Sequence, residues 1–198
     1  SEIATVLELI GDTEFDEIGL RQYRKLRAFF NGRTAYKSIK MFQAGHYMLN
    51  GQFKRFWQLP EGGQLPPDDD EIQELLTTAV EYRCLSDVPV GSFLSGGLDS
   101  TVVAGLASKP YTWTVGFKDC NEFDWARMAC KKFNSIHSEV LISKDEFAPI
   151  ARHMIKKRRE PLSVPNEVLL YKMTLEVKRK NTVILSGEGA DELFFGYD

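Results

Sequence analysis

The fold is decided by the stretch Val88-Pro89-Val90-Gly91-Ser92-Phe93-Leu94-Ser95-Gly96-Gly97-Leu98-Asp99-Ser100. Its first part, Val88 to Leu94, is an apolar run typical of a buried strand. A serine–glycine turn follows at once, and the apolar residues after it can open a helix. A strand, a glycine turn and a helix N-terminus together direct backbone N–H groups towards an anion. The stretch therefore predicts a phosphate-binding loop at the carboxyl end of a strand.

A second glycine loop, Ser186-Gly187-Glu188-Gly189-Ala190-Asp191-Glu192, follows the short apolar run 182–185. Each loop carries a carboxylate, Asp99 in the first and Asp191 in the second. A carboxylate beside a phosphate cradle is understandable if Mg²⁺ lies between them, because Mg²⁺ binds one or two carboxylates together with substrate phosphates. The two loops therefore predict a Mg²⁺–polyphosphate site.

Two familiar phosphate loops do not fit this pattern. The first loop lacks the lysine of a Walker A loop, and no Gly-x-Gly-x-x-Gly opens a helix. Instead, Ser95–Ser100 resembles the pyrophosphate loop of the ATP pyrophosphatases. We expect Gly96 and Gly97 to take positive φ and the hydroxyls of Ser95 and Ser100 to act as hydrogen-bond donors. Leu185–Phe194 resembles the second signature of the glutamine-dependent asparagine synthetases and their amidotransferase relatives.

The resemblance extends over most of the chain. It includes the lead-in to the first loop (Ser86–Gly91), the next strand (Thr114–Phe117) and a later His-x-Glu element (His137 with Glu139). Two further segments, Ala44–Tyr47 and Phe56-Trp57, are similar to the end of the family's glutaminase domain. From its position between a helix and a strand, His137 is expected to be structural rather than a general base.

The resemblance implies an activity as well as a fold. Such enzymes use ATP to convert a carboxylic acid into an acyl-adenylate, releasing pyrophosphate, and then form an amide with nitrogen from ammonia or glutamine. It implies catalytic roles for Glu188, Asp99 and Asp191, and Mg²⁺ binding by the two aspartates. Glu188 could instead only favour the N-terminus of the following helix. Nucleotide contacts are implied for Leu94, Ser95, Gly96, Gly97, Leu98, Ser100, Val115, Ser186 and Gly187.

Composition divides the chain in two. Residues 61–70 are polar, with two glycines, two prolines and three aspartates, and we interpret them as a linker. Residues 1–60 are then a C-terminal remnant of a glutaminase-type domain. Here the pattern predicts a helix over 3–10, capped by Ser1 and stopped by Gly11, a second helix over 18–30, and a hairpin turning at Asn50-Gly51.

Residues 71–198 alternate between helical and strand patterns. Helices are predicted over 71–85, 101–108, 124–134, 146–158 and 166–180, and strands over 88–94, 111–117, 138–142 and 182–185. This alternation is typical of an α/β fold with a doubly wound parallel sheet and helices on both faces. Ligands of such sheets bind at the carboxyl ends of the strands, so one crevice could contain both glycine loops.

Charge, cysteines and chain ends limit the remaining possibilities. A net charge of −3 gives no reason to expect nucleic acid or membrane as a partner, and three cysteines without a disulfide framework suit a reducing cytoplasm.

The chain starts without Met and stops shortly after the second loop, so we expect an internal piece of a longer enzyme. The family's glutaminase uses an N-terminal cysteine, whereas the first cysteine here is Cys84, so glutamine hydrolysis is not expected. The resemblance allows a homo-oligomer of the full-length enzyme.

The acid substrate stays open between two classes. By its place in the resembled fold, Glu160–Glu167 should face the substrate. Its Pro165-Asn166-Glu167 is similar to family members that amidate sugar uronic acids in surface-polysaccharide pathways, whereas the family at large points to aspartate. A competing hypothesis is a nucleotide-binding module with no chemistry of its own.

Overall fold

The structure is a computed structural model that describes residues 2–62, 67–107, 111–194 and 196. The chain forms two compact units. The first contains Ser1–Leu65 and Ala151–Pro165, and the second contains Pro66–Ile150 and Asn166–Asp198. Three predicted features lie outside the described residues: the Ser1 cap, the centre of the linker and the last residue of the helix over 101–108.

The first unit contains two helices, α1 (Ile3–Ile10) and α2 (Glu17–Leu26). Gly11 ends α1 in the left-handed region with φ 67°, as predicted. The prediction for α2 was wrong at its C-terminus, because Arg27 takes φ 56° and closes the helix by donating its N–H to the carbonyl of Tyr23.

A hairpin completes the regular structure of the first unit. Strands β1 (His46–Leu49) and β2 (Gln52–Arg55) pair antiparallel. The turn residues Asn50 and Gly51 have φ 52° and 77°, and two successive positive φ angles characterise the type I′ turn that fits a twisted hairpin. The predicted hairpin is confirmed.

The second unit follows the predicted alternation. Its elements are α3 (Asp69–Cys84), β3 (Val90–Phe93), α4 (Leu98–Ala107), β4 (Tyr111–Phe117), α5 (Phe123–Phe133), β5 (Ile136–Ile142), α6 (Lys144–Arg158), α7 (Asn166–Val177), β6 (Val183–Leu185) and α8 (Ala190–Phe194). The last eight residues of α6 belong to the first unit. None of the helices in the described ranges is both long enough and apolar enough to cross a membrane.

Three predicted boundaries in this unit were wrong for identifiable reasons. Helix α3 starts at Asp69 because the Asp68 carboxylate caps it, accepting the Glu71 N–H at 2.9 Å. Helix α4 starts at Leu98 rather than Thr101, since the Thr101 N–H already donates to the Gly97 carbonyl at 3.1 Å. Strand β5 starts two residues early because it pairs with β4 along the full length of both strands.

The sheet of the second unit is parallel, with strand order β5-β4-β3-β6. The chain first builds outward from β3 through β4 to β5 and then returns to place β6 on the other side of β3. The order therefore reverses between β3 and β6. Such a switch point opens a crevice at the carboxyl ends of the two strands, and it is where both glycine loops begin.

Helices cover both faces of this sheet. On one face, Trp113 and Val140 pack against Met173 and Val177 of α7. On the other, Leu94 forms a cluster with residues of α4 and α5: Ala104, Ala126 and Cys130. The predicted α/β architecture is confirmed for the described part of the chain.

Candidate functional site

The first glycine loop joins β3 to α4 and is closed by its own two serines. The hydroxyl oxygens of Ser95 and Ser100 lie 2.9 Å apart. The Ser95 N–H donates to Ser100 Oγ at 3.2 Å, and the Gly97 N–H donates to Ser95 Oγ at 3.2 Å. The two hydroxyls were predicted as hydrogen-bond donors for a ligand, and in the structure they make hydrogen bonds within the loop that fix its shape.

Of the two glycines in this loop, only Gly96 takes the predicted positive φ, at 92°. A Cβ atom on Gly96 would lie 2.4 Å from Trp125 Cβ and 2.9 Å from the Ala126 backbone nitrogen. Gly96 thus allows the loop to lie against the start of α5. Gly97 has no such φ, so the prediction was wrong for that residue.

The second loop joins β6 to α8 and lies directly against the first. A Cβ on Gly187 would be 2.8 Å from the backbone nitrogen of Ser100 and 2.9 Å from the carbonyl carbon of Asp99. Within the second loop, the Glu188 N–H donates to Ser186 Oγ at 3.3 Å. The absence of a side chain at Gly187 brings the second loop against the first turn of α4.

Both loops line one cavity of about 320 Å³ at the switch point. Most of the predicted site residues line it: Leu94, Ser95, Gly97, Asp99, Ser100, Val115, Ser186, Gly187, Glu188 and Asp191. Gly96 and Leu98 do not. Gly96 faces α5, and Leu98 is 78% exposed at the start of α4.

The two aspartates occupy equivalent positions on their elements. Asp99 is in the first turn of α4, and Asp191 is in the first turn of α8. Both are half-buried, and among the described residues neither carboxylate has an ion-pair partner. In the described ranges no cluster of three or more His, Cys, Asp or Glu side chains could hold a metal ion by itself. Two carboxylates still suit Mg²⁺, which takes hard oxygen ligands and usually relies on one or two carboxylates plus substrate phosphates.

Several cavity residues were not predicted as site residues. They are Phe93, Trp113, Thr114, Glu122, Asn166, Leu170 and Met173. Asn166 belongs to the segment that was expected to face the substrate. Leu170 and Met173 have the spacing of one helix face, but this spacing does not show what the face contacts. Glu122, just before α5, gave no signal in the sequence.

His137, which was expected to be structural, lies outside this lining, and so does His46. His137 is inside β5, where Nδ1 lies 3.0 Å from Thr112 Oγ1 and Nε2 lies 3.4 Å from Thr114 Oγ1. Burial lowers the pKa of His137, so the ring stays neutral at physiological pH. His46 Nδ1 lies 2.9 Å from the carbonyl oxygen of Ala44.

A comparison with protein families identifies the family to which the larger, C-terminal part of the chain is similar. The family model described as asparagine synthase matches residues 71–198, which contain both glycine loops and the whole parallel sheet. The chain belongs to the asparagine synthase family.

Curated relatives within this family extend the match over the whole chain. A Mycobacterium bovis relative is 32% identical over 97% of this chain and 32% of its own length. Asparagine synthetase [glutamine-hydrolyzing] 1 of Bacillus subtilis is 30% identical, over 100% of this chain and 34% of its own length. The chain thus spans about a third of the length of the curated relatives it matches.

A solved structure also aligns with part of the chain. It is the NH3-dependent NAD synthetase from Campylobacter jejuni, with a TM-score of 0.46 and 21% sequence identity. The alignment covers 67% of this chain and 62% of that protein.

Proposed function

We propose that this asparagine synthase family chain carries the ATP-dependent step that activates a carboxylic acid for amide formation. A carboxylate oxygen of the substrate attacks the α-phosphorus of ATP, and the bond from that phosphorus to the β-phosphate bridge breaks. Pyrophosphate leaves and an acyl-adenylate remains. Ammonia, supplied free or from glutamine, then attacks the acyl carbon, AMP leaves with the bonding electrons, and the nitrogen loses a proton.

One observation carries this proposal: the two glycine loops touch and share a cavity with Asp99 and Asp191. The Gly187 contact with the first turn of α4 fixes the spacing between the loops. Backbone N–H groups at the start of α4 are suited to the charge of the departing pyrophosphate. Asp99 and Asp191 would hold Mg²⁺, which supplies positive charge to neutralise the phosphates when bound. Glu188, on the same wall, is our candidate for forming or using the acyl-adenylate.

The remaining nucleotide contacts follow from the same arrangement. We assign the adenosine to the part of the cavity lined by Leu94 and Val115, next to Ser186 and Gly187. The phosphates are assigned to the first loop, which Ser95 and Ser100 hold closed. Gly96 and Leu98 support that loop from outside the cavity. The three free cysteines are compatible with a cytoplasmic protein.

Aspartate and a sugar uronic acid are the two candidates for the acid substrate. Aspartate is favoured because the curated relatives that match the chain include asparagine synthetases from Bacillus subtilis and Cricetulus griseus. A sugar uronic acid is the alternative, based on the Pro165-Asn166-Glu167 pattern. A polar Asn166 on the cavity wall suits either acid, because both carry hydrogen-bonding groups next to the carboxylate.

Calorimetric titration of ATP, with and without Mg²⁺, tests the site. We expect Mg²⁺-dependent binding that Asp99→Asn weakens at least tenfold and that Asp145→Asn leaves unchanged. Asp145 is a matched control, since it is also in the first turn of a helix but outside the cavity lining. Equal affinities for both variants would overturn the assignment of the first loop.

AMP release then separates an enzyme from a nucleotide-binding module. Aspartate and a panel of uronic acids are added singly to the protein with MgATP and ammonia. AMP formation that requires one of these acids supports the proposal and identifies the substrate class. MgATP binding without acid-dependent AMP release would overturn the enzymatic function and leave the binding module.

A further inference from the structure

The backbone hydrogen bonds that pair β3 with β4 stop next to the cavity, one bond short of what the register of the two strands allows. Their register pairs Phe93 with Trp113, so the next pair is Leu94 with Thr114. The Leu94 N–H donates to the Trp113 carbonyl at 2.9 Å, which continues the ladder. The following bond would run from the Val115 N–H to the Leu94 carbonyl, and in the described part of the chain it is not made.

A side chain takes the place of that missing bond. The hydroxyl of Thr114 donates to the Leu94 carbonyl. Alternate residues of a central strand direct their N–H groups to opposite neighbours, so the Val115 N–H points towards β3. At this position β3 has already turned into the glycine loop, and Val115 lines the cavity. The Thr114 hydroxyl therefore satisfies the carbonyl and leaves a backbone donor directed at the cavity.

His137 holds the Thr114 hydroxyl in this arrangement. Because that hydroxyl donates to Leu94, its oxygen must accept from His137, which places the ring proton on Nε2. Nδ1 is then the acceptor for the Thr112 hydroxyl at 3.0 Å. Glu139 lies 3.9 Å from Nε2, but its carboxylate is held by two bonds of 2.7 Å from Arg127. The ring stays neutral between the two threonines, consistent with its lowered pKa.

We propose that Thr114 and His137 are positioning residues that keep the Val115 N–H available for the base of the bound nucleotide. The proposal rests on the proposed function, since it assumes that the base lies next to Val115. It applies to the base and not to the phosphates, which are assigned to the glycine loops. Loss of the Thr114 hydroxyl would let the Val115 N–H turn to the Leu94 carbonyl and withdraw from the ligand.

The test compares ATP with pyrophosphate in Thr114→Val, a substitution of nearly the same shape. We expect the Kd for MgATP to rise about fivefold, the value of one hydrogen bond, while the Kd for Mg-pyrophosphate stays within about twofold. Thr114→Ser should restore the MgATP affinity. Thr112→Val is the comparison variant, because Thr112 bonds the same histidine but not the Leu94 carbonyl, and it should raise the Kd for MgATP less than Thr114→Val does.

Amide exchange provides a readout without any ligand. In the parent protein the Val115 N–H should exchange quickly, and in Thr114→Val it should become protected by the new bond to Leu94. His137→Leu should give a smaller change in the same direction. Unchanged Val115 protection together with an unchanged Kd for MgATP in Thr114→Val would overturn the proposal. If the parent bound neither MgATP nor Mg-pyrophosphate, the proposed function would fail instead.

Discussion

Replacing Gly187 with alanine tests the contact that brings the two glycine loops together. The new Cβ would lie 2.8 Å from Ser100 N and 2.9 Å from two atoms of Asp99, whereas ordinary contact begins at 3.4 Å. Two of these three neighbours are backbone atoms, so no side-chain rotation relieves the overlap. The loops must separate by about 0.6 Å, and overpacking of this kind costs roughly 1–3 kcal/mol.

Separation of the loops should be visible in both stability and binding. Urea denaturation should show a loss of roughly 1–3 kcal/mol in the free energy of unfolding. If the same strain opposes the ligand-bound arrangement, the Kd for MgATP rises roughly 5- to 150-fold, since 1.4 kcal/mol is a factor of ten. Gly62→Ala is the control, because nothing lies within 4 Å of a Cβ at that position. A Gly187→Ala protein with the stability and MgATP affinity of that control would refute the contact between the loops.

Two further predictions concern the elements around the site. Gly96→Ala should lower the free energy of unfolding by at least about 2 kcal/mol in urea denaturation. The reason is that the alanine would combine a positive φ with a Cβ at 2.4 Å from Trp125 Cβ. A smaller loss would contradict the packing of the first glycine loop on α5. At the start of α6, the Lys172 ammonium and the Ser143 N–H lower the pKa of Glu146 to about 2. The ionised Glu146 carboxylate therefore stabilises the folded protein above the ordinary carboxyl pKa of 4.5, and this stabilisation is lost as the pH falls towards 2. The stability difference between the parent and Glu146→Gln in urea should therefore shrink over this pH range, and a constant difference would contradict the pairing.

The sequence predicted regular elements best where both ends are marked by local chemistry. Strand β4 was predicted with its observed bounds, because β-branched and aromatic residues fill Tyr111–Phe117 and turn residues follow. The hairpin was predicted because Asn50-Gly51 tolerates two positive φ angles. The starts of α3 and α4 were missed because they depend on bonds made by Asp68 and Gly97, which hydrophobic periodicity does not reveal.

The site could be predicted only in part, because sequence shows the ends of strands but not their order. Both glycine loops were expected at carboxyl ends, but that β6 returns to lie beside β3 is a tertiary fact. The same limit applies to α7. Leu170 and Met173 line the cavity because α7 packs on β4, and the helical pattern shows only that one face of α7 is apolar. Thr114 was expected only as part of a strand and of the family resemblance over Thr114–Phe117, and its hydrogen bond to the Leu94 carbonyl could not be predicted from the sequence.

The charges in the cavity support the proposal that the two loops act together. Four carboxylates line it (Asp99, Glu122, Glu188 and Asp191), and among the described lining residues there is no lysine, arginine or histidine. A polyphosphate placed there without a cation would meet four negative charges, at a cost that the partial positive charges at the N-termini of α4 and α8 do not offset. Under the proposed function, the binding of phosphates should therefore depend on a cation held by the carboxylates. Because Asp99 and Asp191 come from different loops, such a cation needs the loop spacing that Gly187 sets, so loss of either aspartate or of that glycine should weaken the same binding step.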